Sequence, residues 1–245
     1  MHKERKESSS NHQYDENYLN SKDWHADTFA KLYRSEKNYF EAEIKRTKQR
    51  LHAGANVLEI GFGNGKFLQY ATEKNWNVEG TELNAGLITL AKNRGFNVHS
   101  VGEISQFEEN HYDLIVAFDV LEHLTHSEIE TLFSDAKRIL KVGGVFLARY
   151  PNGDSPFGLM NQHGDATHIT TIGYQKALYF VQKIGVELVF YGGENLPILR
   201  KNMLLTLRNL FSWFVKWWIN LFAKMVYEYP YDFSASNAIL IFKKK

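Results

Sequence analysis

The sequence predicts an α/β fold in which helices cover both faces of a doubly wound, mostly parallel sheet. Short apolar runs alternate with amphipathic, helix-like segments, and a glycine-rich turn follows the first apolar run. A chain of 245 residues is long enough for one such domain with additions. Strands are predicted at 56–60, 77–81, 98–101, 112–118, 145–149, 187–191 and 238–242, and helices at 24–51, 66–74, 85–93, 122–139 and 173–184.

The composition excludes several kinds of chemistry and partner. The chain has no cysteine, which excludes disulfides, thiolate metal sites and cysteine nucleophiles and is compatible with the cytoplasm. The formal net charge of +1 gives no electrostatic case for a nucleic-acid partner. Residues 1–13 are polar and charged, so we expect a disordered tail and no signal peptide. We expect residues 14–245 to form a single domain with an N-terminal helical cap at 14–53.

A glycine-rich turn after the first predicted strand indicates a ligand site. Glu59, Gly61, Gly63 and Gly65 form the pattern E-x-G-x-G-x-G. Glycines let a ligand approach the backbone, and the helix that starts at Lys66 offers free N–H groups to a carboxylate. The dinucleotide pattern G-x-G-x-x-G would need glycine where Lys66 stands. The turn resembles instead the first motif of class I S-adenosylmethionine-dependent methyltransferases, and the alternative is a turn without a ligand.

The resemblance implies cofactor contacts at the ends of the first four strands. Glu59 would accept from the ammonium group of S-adenosylmethionine, and Glu82, which ends the second strand, would accept from both ribose hydroxyls. The alternative for Glu82 is a solvated loop carboxylate. After the third strand, Glu103 is expected at the adenine amino group and Ile104 against the adenine ring. Phe118, at the end of the fourth strand, completes the predicted cofactor site.

Two further segments carry the same resemblance. Residues 112–124, YDLIVAFDVLEHL, are similar to the fourth-strand motif of this superfamily. Residues 140–145, LKVGGV, are similar to its L-K-P-G-G turn, with Val142 where proline is usual. The resemblance extends over about residues 55–150. It implies a Rossmann-like methyltransferase fold of seven strands in which the last strand is antiparallel.

Acidic and histidine side chains that follow strands four and five are candidates for the reaction site. Asp119, Glu122 and His123 have i, i+3 and i+4 spacing and would share one face if Asp119 opened a helix. Such a set suits Mg²⁺ or Mn²⁺. It resembles the metal site of small-RNA 2′-O-methyltransferases and ubiquinone-pathway O-methyltransferases, where a metal would bind a vicinal diol and lower the pKa of the attacking hydroxyl. The next loop offers a fourth ligand from His163, Asp165 or His168.

Simpler interpretations stay open at these positions. Asp119 caps a helix in one of them, while Glu122 and His123 bond nearby backbone, since L-E-H-L occurs in methyltransferases generally. Without a metal, His123 or His168 is the candidate general base. The predicted catalytic residues are Asp119, His123, Asp165 and His168, and the predicted metal ligands are Asp119, Glu122, His123 and His168.

The segment after the fifth strand, residues 151–171, is expected to form a long loop. Its sequences PNGDSPFG at 151–158 and HGDATHIT at 163–170 are similar to segments of methyltransferases from bacterial surface-polysaccharide and lipopolysaccharide biosynthesis. This resemblance implies O-methylation of a sugar hydroxyl on a surface glycan or its lipid-linked precursor. Three alternatives stay open: a structural loop, methylation of a small phenol or quinone precursor, and cofactor binding without catalysis.

An apolar insertion at 192–236 separates the last two predicted strands. Its centre, 203–227, is rich in tryptophan and phenylalanine, and we expect a helix along which Arg208, Lys216 and Lys224 are spaced. The central lysine argues against a transmembrane span. A helix that lies on the inner face of the membrane fits this pattern. Burial in the fold or in a homodimer fits it equally well.

Overall fold

A sheet of seven strands forms the centre of the computed structural model, which describes residues 22, 24–195, 202–229 and 231–245. The strands lie in the order β3-β2-β1-β4-β5-β7-β6, and β7 is antiparallel to both of its neighbours, whereas the other pairs are parallel. The predicted fold class is confirmed, while the tail expected at 1–13 lies outside the described residues. The strands are β1 (Asn56–Ile60), β2 (Asn77–Glu82), β3 (Asn97–Ser100), β4 (Tyr112–Phe118), β5 (Leu140–Pro151), β6 (Glu187–Gly193) and β7 (Asn237–Lys243).

Helices cover both faces of the sheet, as a doubly wound fold requires. Hydrophobic side chains of α4 and α6 pack on one face, and those of α1 and α2 pack on the other. The helices are α1 (Arg34–Arg46), α2 (Lys66–Glu73), α3 (Ala85–Asn93), α4 (His126–Ile139), α5 (Leu159–His163), α6 (Tyr174–Ile184) and α7 (Met203–Tyr227). Two 3₁₀ turns lie at Val101–Gln106 and Leu121–His123.

The central strands are apolar throughout because both of their faces are covered. Consecutive side chains of a strand point to opposite faces. Ile115 and Ala117 of β4 belong to the cluster beneath α4 and α6, while Leu114 and Val116 belong to the cluster beneath α1 and α2. All four are fully buried. The continuous apolar run that predicted a parallel strand is therefore explained by packing on two sides.

The N-terminal helix is shorter than the predicted 24–51. Residues 26–30 form turns, and Ala30 has a left-handed backbone with a φ of 59°. The helix begins only after Tyr33, whose N–H donates to the Glu36 carboxylate at 2.8 Å. Phe29, which lies within the predicted helix, belongs to a separate hydrophobic cluster from Phe40 and Ile44 of α1.

The fourth helix starts at His126 and not at 122 as predicted. Thr125 caps it: its hydroxyl accepts from the Glu128 N–H at 3.3 Å, and the Glu128 carboxylate accepts from the Thr125 N–H at 2.8 Å. This reciprocal pair is a capping box, which satisfies two backbone donors at a helix start. Residues 121–123 consequently form a separate 3₁₀ turn before the helix.

The segment 151–171 is not entirely loop, because α5 forms within it. Gly158 precedes this short helix, and a Cβ at Gly158 would lie 2.2 Å from the carbonyl oxygen of Asn152. Only glycine fits such a close backbone approach. The segment is thereby folded back against the end of β5, which itself extends to Pro151 and past the predicted end at 149.

The insertion before β7 contains α7, as predicted for 203–227. Its tryptophans are not buried: Trp213, Trp217 and Trp218 are 54%, 48% and 51% exposed. The interpretation that places them inside the fold is therefore wrong. Of the helices in the described part of the chain, none is long and apolar enough to cross a membrane.

Removal of the Thr125 cap tests the observed start of α4. Thr125→Ala is expected to lower the free energy of unfolding by about 1 kcal/mol, because a backbone N–H loses its acceptor. Urea unfolding measures this change. Thr131→Ala is the matched control, because Thr131 lies inside the same helix, where its hydroxyl donates only to the Ser127 carbonyl, and its effect should stay within about 0.5 kcal/mol. Equal losses in the two variants would contradict the helix start at Thr125.

Candidate active site

The glycine-rich turn after β1 has the backbone that its sequence predicts. Gly61, Gly63 and Gly65 have φ values of 68°, 46° and 68°, a left-handed region that favours glycine. The N–H of Gly61 donates to the Thr81 carbonyl at 2.8 Å, and the N–H of Gly63 donates to the Glu82 carboxylate at 3.0 Å. The turn is thus held against the end of β2.

Glu59 is a buried acid with unused acceptor capacity. Burial raises its pKa well above the usual range, and a hydrogen bond from the Leu68 N–H at the start of α2 opposes this shift. Its Oε2 atom has no hydrogen-bond partner in the part of the chain that the structure describes. A buried acceptor without a donor is costly. The atom therefore fits the ammonium group of S-adenosylmethionine, for which the sequence predicted Glu59.

Glu82 is built into the same turn. Its carboxylate accepts from the N–H groups of Gly63, Leu83 and Asn84 at 3.0, 2.7 and 3.1 Å. Burial raises its pKa, and these three hydrogen bonds act in the opposite direction. The side chain is therefore anchored, unlike a solvated loop carboxylate. Its Oε2 atom accepts one bond from Gly63 and retains capacity for a hydroxyl donor such as a ribose.

Two aromatic residues on the glycine turn were missed by the sequence analysis. A Cβ at Gly63 would lie 2.7 Å from Cη2 of Trp24, and one at Gly65 would lie 2.6 Å from Cζ of Phe29. The N–H of Ala30 also donates to the Asn64 carbonyl at 2.7 Å. Residues 24–30 consequently cover the turn. Nothing in the local pattern of Trp24 or Phe29 indicates this long-range contact.

The remaining predicted cofactor residues occupy three different environments. Glu103 lies in the 3₁₀ turn after β3, where its Oε2 atom is 3.3 Å from Nδ1 of His99. Ile104 is buried in the core. The Phe118 ring packs against Phe40, with centroids 5.4 Å apart. Glu103 and Ile104 follow β3 and Phe118 ends β4, as predicted, and their adenine and cofactor contacts stay predictions.

Glu122, His123 and His168 come together although the last lies far along the chain. Each offers a ligand atom, and these atoms lie within 4.8 Å of one another. The rings of His123 and His168 are in edge contact, with centroids 4.6 Å apart. The carbonyl of Glu122 accepts from the N–H groups of Ile169 and Thr170 at 2.8 and 3.0 Å. These two backbone bonds hold the loop segment against the turn after β4.

The ring of His168 is oriented by a backbone carbonyl. Its Nδ1 atom lies 3.2 Å from the Gln162 carbonyl oxygen. A carbonyl only accepts, so in neutral His168 Nδ1 carries the proton and Nε2 carries the lone pair. Nε2 lies 3.9 Å from Oε1 of Glu122 and 3.8 Å from Oδ2 of Asp165. The basic nitrogen therefore faces two carboxylates.

Burial favours the uncharged forms of Glu122 and His123. Burial raises the pKa of Glu122 well above its usual range, and the nearby Asp119 adds to this shift. Burial, followed by the proximity of His168, lowers the pKa of His123. Oε2 of Glu122 lacks a hydrogen-bond partner among the residues that the structure describes. The cluster can thus accept a proton or a cation.

Asp165 supports the cluster from the loop. Burial raises its pKa, but hydrogen bonds from Lys22 and Thr167 outweigh burial and hold that pKa below the usual range. Its carboxylate pairs with Nζ of Lys22 at 2.8 Å. The Thr167 hydroxyl lies 2.5 Å from Oδ1 of Asp165 and 2.9 Å from Nδ1 of His123. Asp165 therefore acts on His123 through Thr167.

Among the residues that the structure describes, Asp119 does not belong to the cluster of Glu122, His123 and His168. It has a left-handed backbone with a φ of 56°, so it does not open a helix, and the shared helical face predicted for Asp119, Glu122 and His123 is absent. Its carboxylate accepts from Nε of Arg149 at 2.9 Å. Arg149, at the end of β5, also lies over the Tyr39 ring at 5.3 Å. No local sequence pattern predicts a role for this arginine, because its partners come from distant segments.

The sheet order, the glycine turn and the polar cluster at the ends of the central strands define an α/β enzyme of the class I methyltransferase type. A family model described as "Methyltransferase domain" matches residues 32–183. The chain belongs to this family and is an S-adenosylmethionine-dependent methyltransferase. The non-catalytic alternative is therefore not supported.

Solved structures with the same fold include three methyltransferases. A SAM-dependent methyltransferase from Archaeoglobus fulgidus is 18% identical, with a TM-score of 0.62, and the match covers 94% of this chain and 100% of that one. Phosphoethanolamine N-methyltransferase 2 from Haemonchus contortus is 19% identical, with a TM-score of 0.57 and coverages of 84% and 52%. Geranyl diphosphate C-methyltransferase from Streptomyces coelicolor is 13% identical, with a TM-score of 0.57 and coverages of 86% and 79%. No curated protein sequence matches the chain.

Substitution of Gly63 tests the cofactor site. Gly63→Val is expected to weaken S-adenosylhomocysteine binding at least tenfold, about 1.4 kcal/mol, because its side chain would collide with Trp24 and its backbone has a positive φ. Isothermal calorimetry measures the affinity. Gly54→Val is the control, because Gly54 has a φ of +82° but lies before β1, at the opposite edge of the sheet, with open space around it. Unchanged affinity in Gly63→Val would argue against a cofactor on this turn.

Proposed function

We propose that the protein is a cytoplasmic O-methyltransferase that modifies a sugar hydroxyl of a bacterial surface glycan or its lipid-linked precursor. The observation that carries this proposal is the cluster of Glu122, His123 and His168, in which the loop at 151–171 meets the turn after β4. That loop has the sequence similarity to surface-glycan methyltransferases. The solved neighbours are named for phosphoethanolamine and geranyl diphosphate, and at their low identity they give no acceptor for this chain.

The cluster supplies what a hydroxyl acceptor needs. When bound, S-adenosylmethionine supplies a methyl group on a sulfonium, so the O–C bond forms as the C–S bond breaks and the electron pair stays on sulfur. The hydroxyl proton must then pass to a base. His168 Nε2 is the candidate, because its lone pair is fixed by the Gln162 carbonyl. His123 is the second candidate, since its lowered pKa keeps it neutral.

The same residues also suit a divalent cation. Glu122, His123 and His168 provide one oxygen and two nitrogen donors, a set that suits Mg²⁺, Mn²⁺ or another hard or borderline divalent ion. The unpartnered Oε2 of Glu122 would gain a counter-charge. Asp165 is better placed than Asp119 for a fourth ligand, because it lies 3.8 Å from His168. A cation held here would bind a vicinal diol and lower the pKa of the attacking hydroxyl.

A cavity favours a second candidate, methylation of a small phenol or quinone precursor. It has a volume of about 480 Å³ and lies between α7 and the loop at 151–171. Phe157, Phe211, Val215 and Ile219 line it, with Lys216 among the polar residues at its wall. Such a mostly apolar space with few polar groups is typical of small-molecule sites. Its apolar wall suits an aromatic acceptor better than a sugar, and its lining does not include Glu122, His123 or His168.

Transfer of a labelled methyl group separates the two candidates. With labelled S-adenosylmethionine, we expect label in lipid-linked saccharides that carry vicinal diols, and at least tenfold less label in catechols and hydroxyquinones offered at the same concentration. Chromatography and mass spectrometry locate the methyl group. Preferential labelling of the phenols would overturn the sugar proposal. In that case Ser212→Trp, which fills the cavity wall, should raise the KM for the phenol.

Chelation tests the cation. EDTA is expected to reduce turnover of the diol acceptor at least a hundredfold, and Mg²⁺ or Mn²⁺ should restore it, because the acceptor hydroxyl would lose its Lewis acid. His168→Ala should remove both activity and the metal response while S-adenosylhomocysteine binding stays unchanged. His52→Ala, an exposed histidine before β1, is the matched control. Full activity in EDTA would exclude the cation and leave the histidines as bases.

A further inference from the structure

Helix α7 turns its polar side toward the protein. Ala223 is its buried residue, and Asn220 beside it donates to the Asp232 carboxylate at 2.9 Å and accepts from the Ser234 N–H at 2.8 Å. Lys216 and Ile219 are also partly buried. These residues fix the side of the helix that contacts the domain.

The opposite side of α7 is apolar and exposed. Large side chains recur there with spacings of three or four residues, which places them on one face of a helix. Their exposed fractions range from 50% to 75%. They are Leu204, Leu207, Phe211, Phe214, Trp218, Phe222 and Met225. A surface helix normally buries such a face against its own core. Apart from Phe211, which also lines the cavity between α7 and the loop at 151–171, these side chains face away from the domain. Such an exposed face indicates a partner outside the domain.

The charges of α7 distinguish between partners. The helix contains Arg208, Lys216 and Lys224 and no acidic residue. Arg208 and Lys224 are exposed. By helical spacing, Arg208 lies next to the apolar face, and Lys224 lies on the other side of it, at the position of the exposed Trp213 and Trp217. Two copies of this face would bring cations together with no acid to pair them. The pattern instead matches an anionic lipid surface, where long cationic side chains reach the headgroups while their stems stay with the apolar residues.

We propose that α7 docks the enzyme on an anionic membrane surface. The helix lies in the plane of the interface, with its apolar face inserted to the depth of the headgroup boundary, about 5–10 Å. Trp217 and Trp218, which are half exposed, sit at the interface, where tryptophan is favoured. The proposal is independent of the acceptor and of the metal.

Vesicle flotation tests the docking surface with the full chain. Wild-type protein is expected to float with vesicles of equal parts phosphatidylglycerol and phosphatidylcholine, and at least tenfold less with phosphatidylcholine alone. Arg208→Glu with Lys224→Glu should reduce binding to the anionic vesicles at least tenfold. The matched control is Arg50→Glu with Lys92→Glu, two exposed cations away from α7, and it should bind like wild type. Equal loss in both double variants would contradict a specific face.

The apolar face is tested by a second pair of variants. Phe214→Ser with Trp218→Ser should abolish flotation and leave S-adenosylhomocysteine binding and the melting curve unchanged, because neither side chain contributes to the core. Met160→Ser with Tyr179→Ser removes exposed apolar groups elsewhere and should have no effect. In wild type, brominated lipids should quench the fluorescence of Trp217 and Trp218. A wild-type dimer in sedimentation that the Phe214 and Trp218 variant dissociates, without any vesicle binding, would overturn the proposal in favour of a second copy.

Discussion

The parallel pairing of β1 with β4 is the constraint on which the site depends. Leu58 pairs with Ile115 and Ile60 with Ala117, so the two strands end side by side at the centre of the sheet. The chain winds outward from this pair in opposite directions, to β2 and β3 on one side and to β5, β7 and β6 on the other. A crevice at the carboxyl ends is the consequence. The glycine turn after β1 and the turn that carries Glu122 after β4 both open into it.

Glu122 connects this crevice to the segment that follows β5. Its backbone carbonyl receives two N–H groups from Ile169 and Thr170, and its side chain faces His168. The backbone bonds do not depend on the protonation of the carboxylate. The loop can therefore keep its position while the charge at the side chain changes, which suits a site that must handle a proton or a cation. Lys22 ties the N-terminal segment to the same loop through Asp165.

Local pattern accounts for the parts of the molecule that were predicted. The apolar runs gave the seven strands to within a few residues, with the largest shortfall in β5, and the E-x-G-x-G-x-G spacing located the turn with its positive φ values. Motif resemblance placed His168 in the reaction site, and the structure brings it against His123. The turn that precedes Thr125 was misjudged because L-E-H-L is also helix-compatible, and only the capping pair with Glu128 shows where α4 begins.

Long-range contacts account for what was not predicted. Trp24 and Phe29 cover the glycine turn, and Arg149 donates a hydrogen bond to the Asp119 carboxylate. Each of these contacts joins two segments that lie far apart in the sequence and share no periodicity. Spacing along the sequence reports on one helix or strand at a time. It could not show that Asp119 would face an arginine from the neighbouring strand, or that a predicted helical residue such as Phe29 would leave its helix.

Helices α4 and α7 differ in the direction in which their apolar faces point, and this difference cannot be read from hydrophobicity alone. Both are amphipathic, but α4 buries Ile129, Phe133 and Ala136 in the core. Helix α7 buries Ala223 and exposes its large apolar side chains. A large apolar side chain contributes about 1.5–3 kcal/mol when it leaves water. An exposed face of seven such residues forgoes that stabilisation unless something else covers it. The hydrophobic core of the domain forms without the large side chains of α7, so these side chains are available to contact another surface. Because all charged residues of α7 are positive, an anionic surface is favoured.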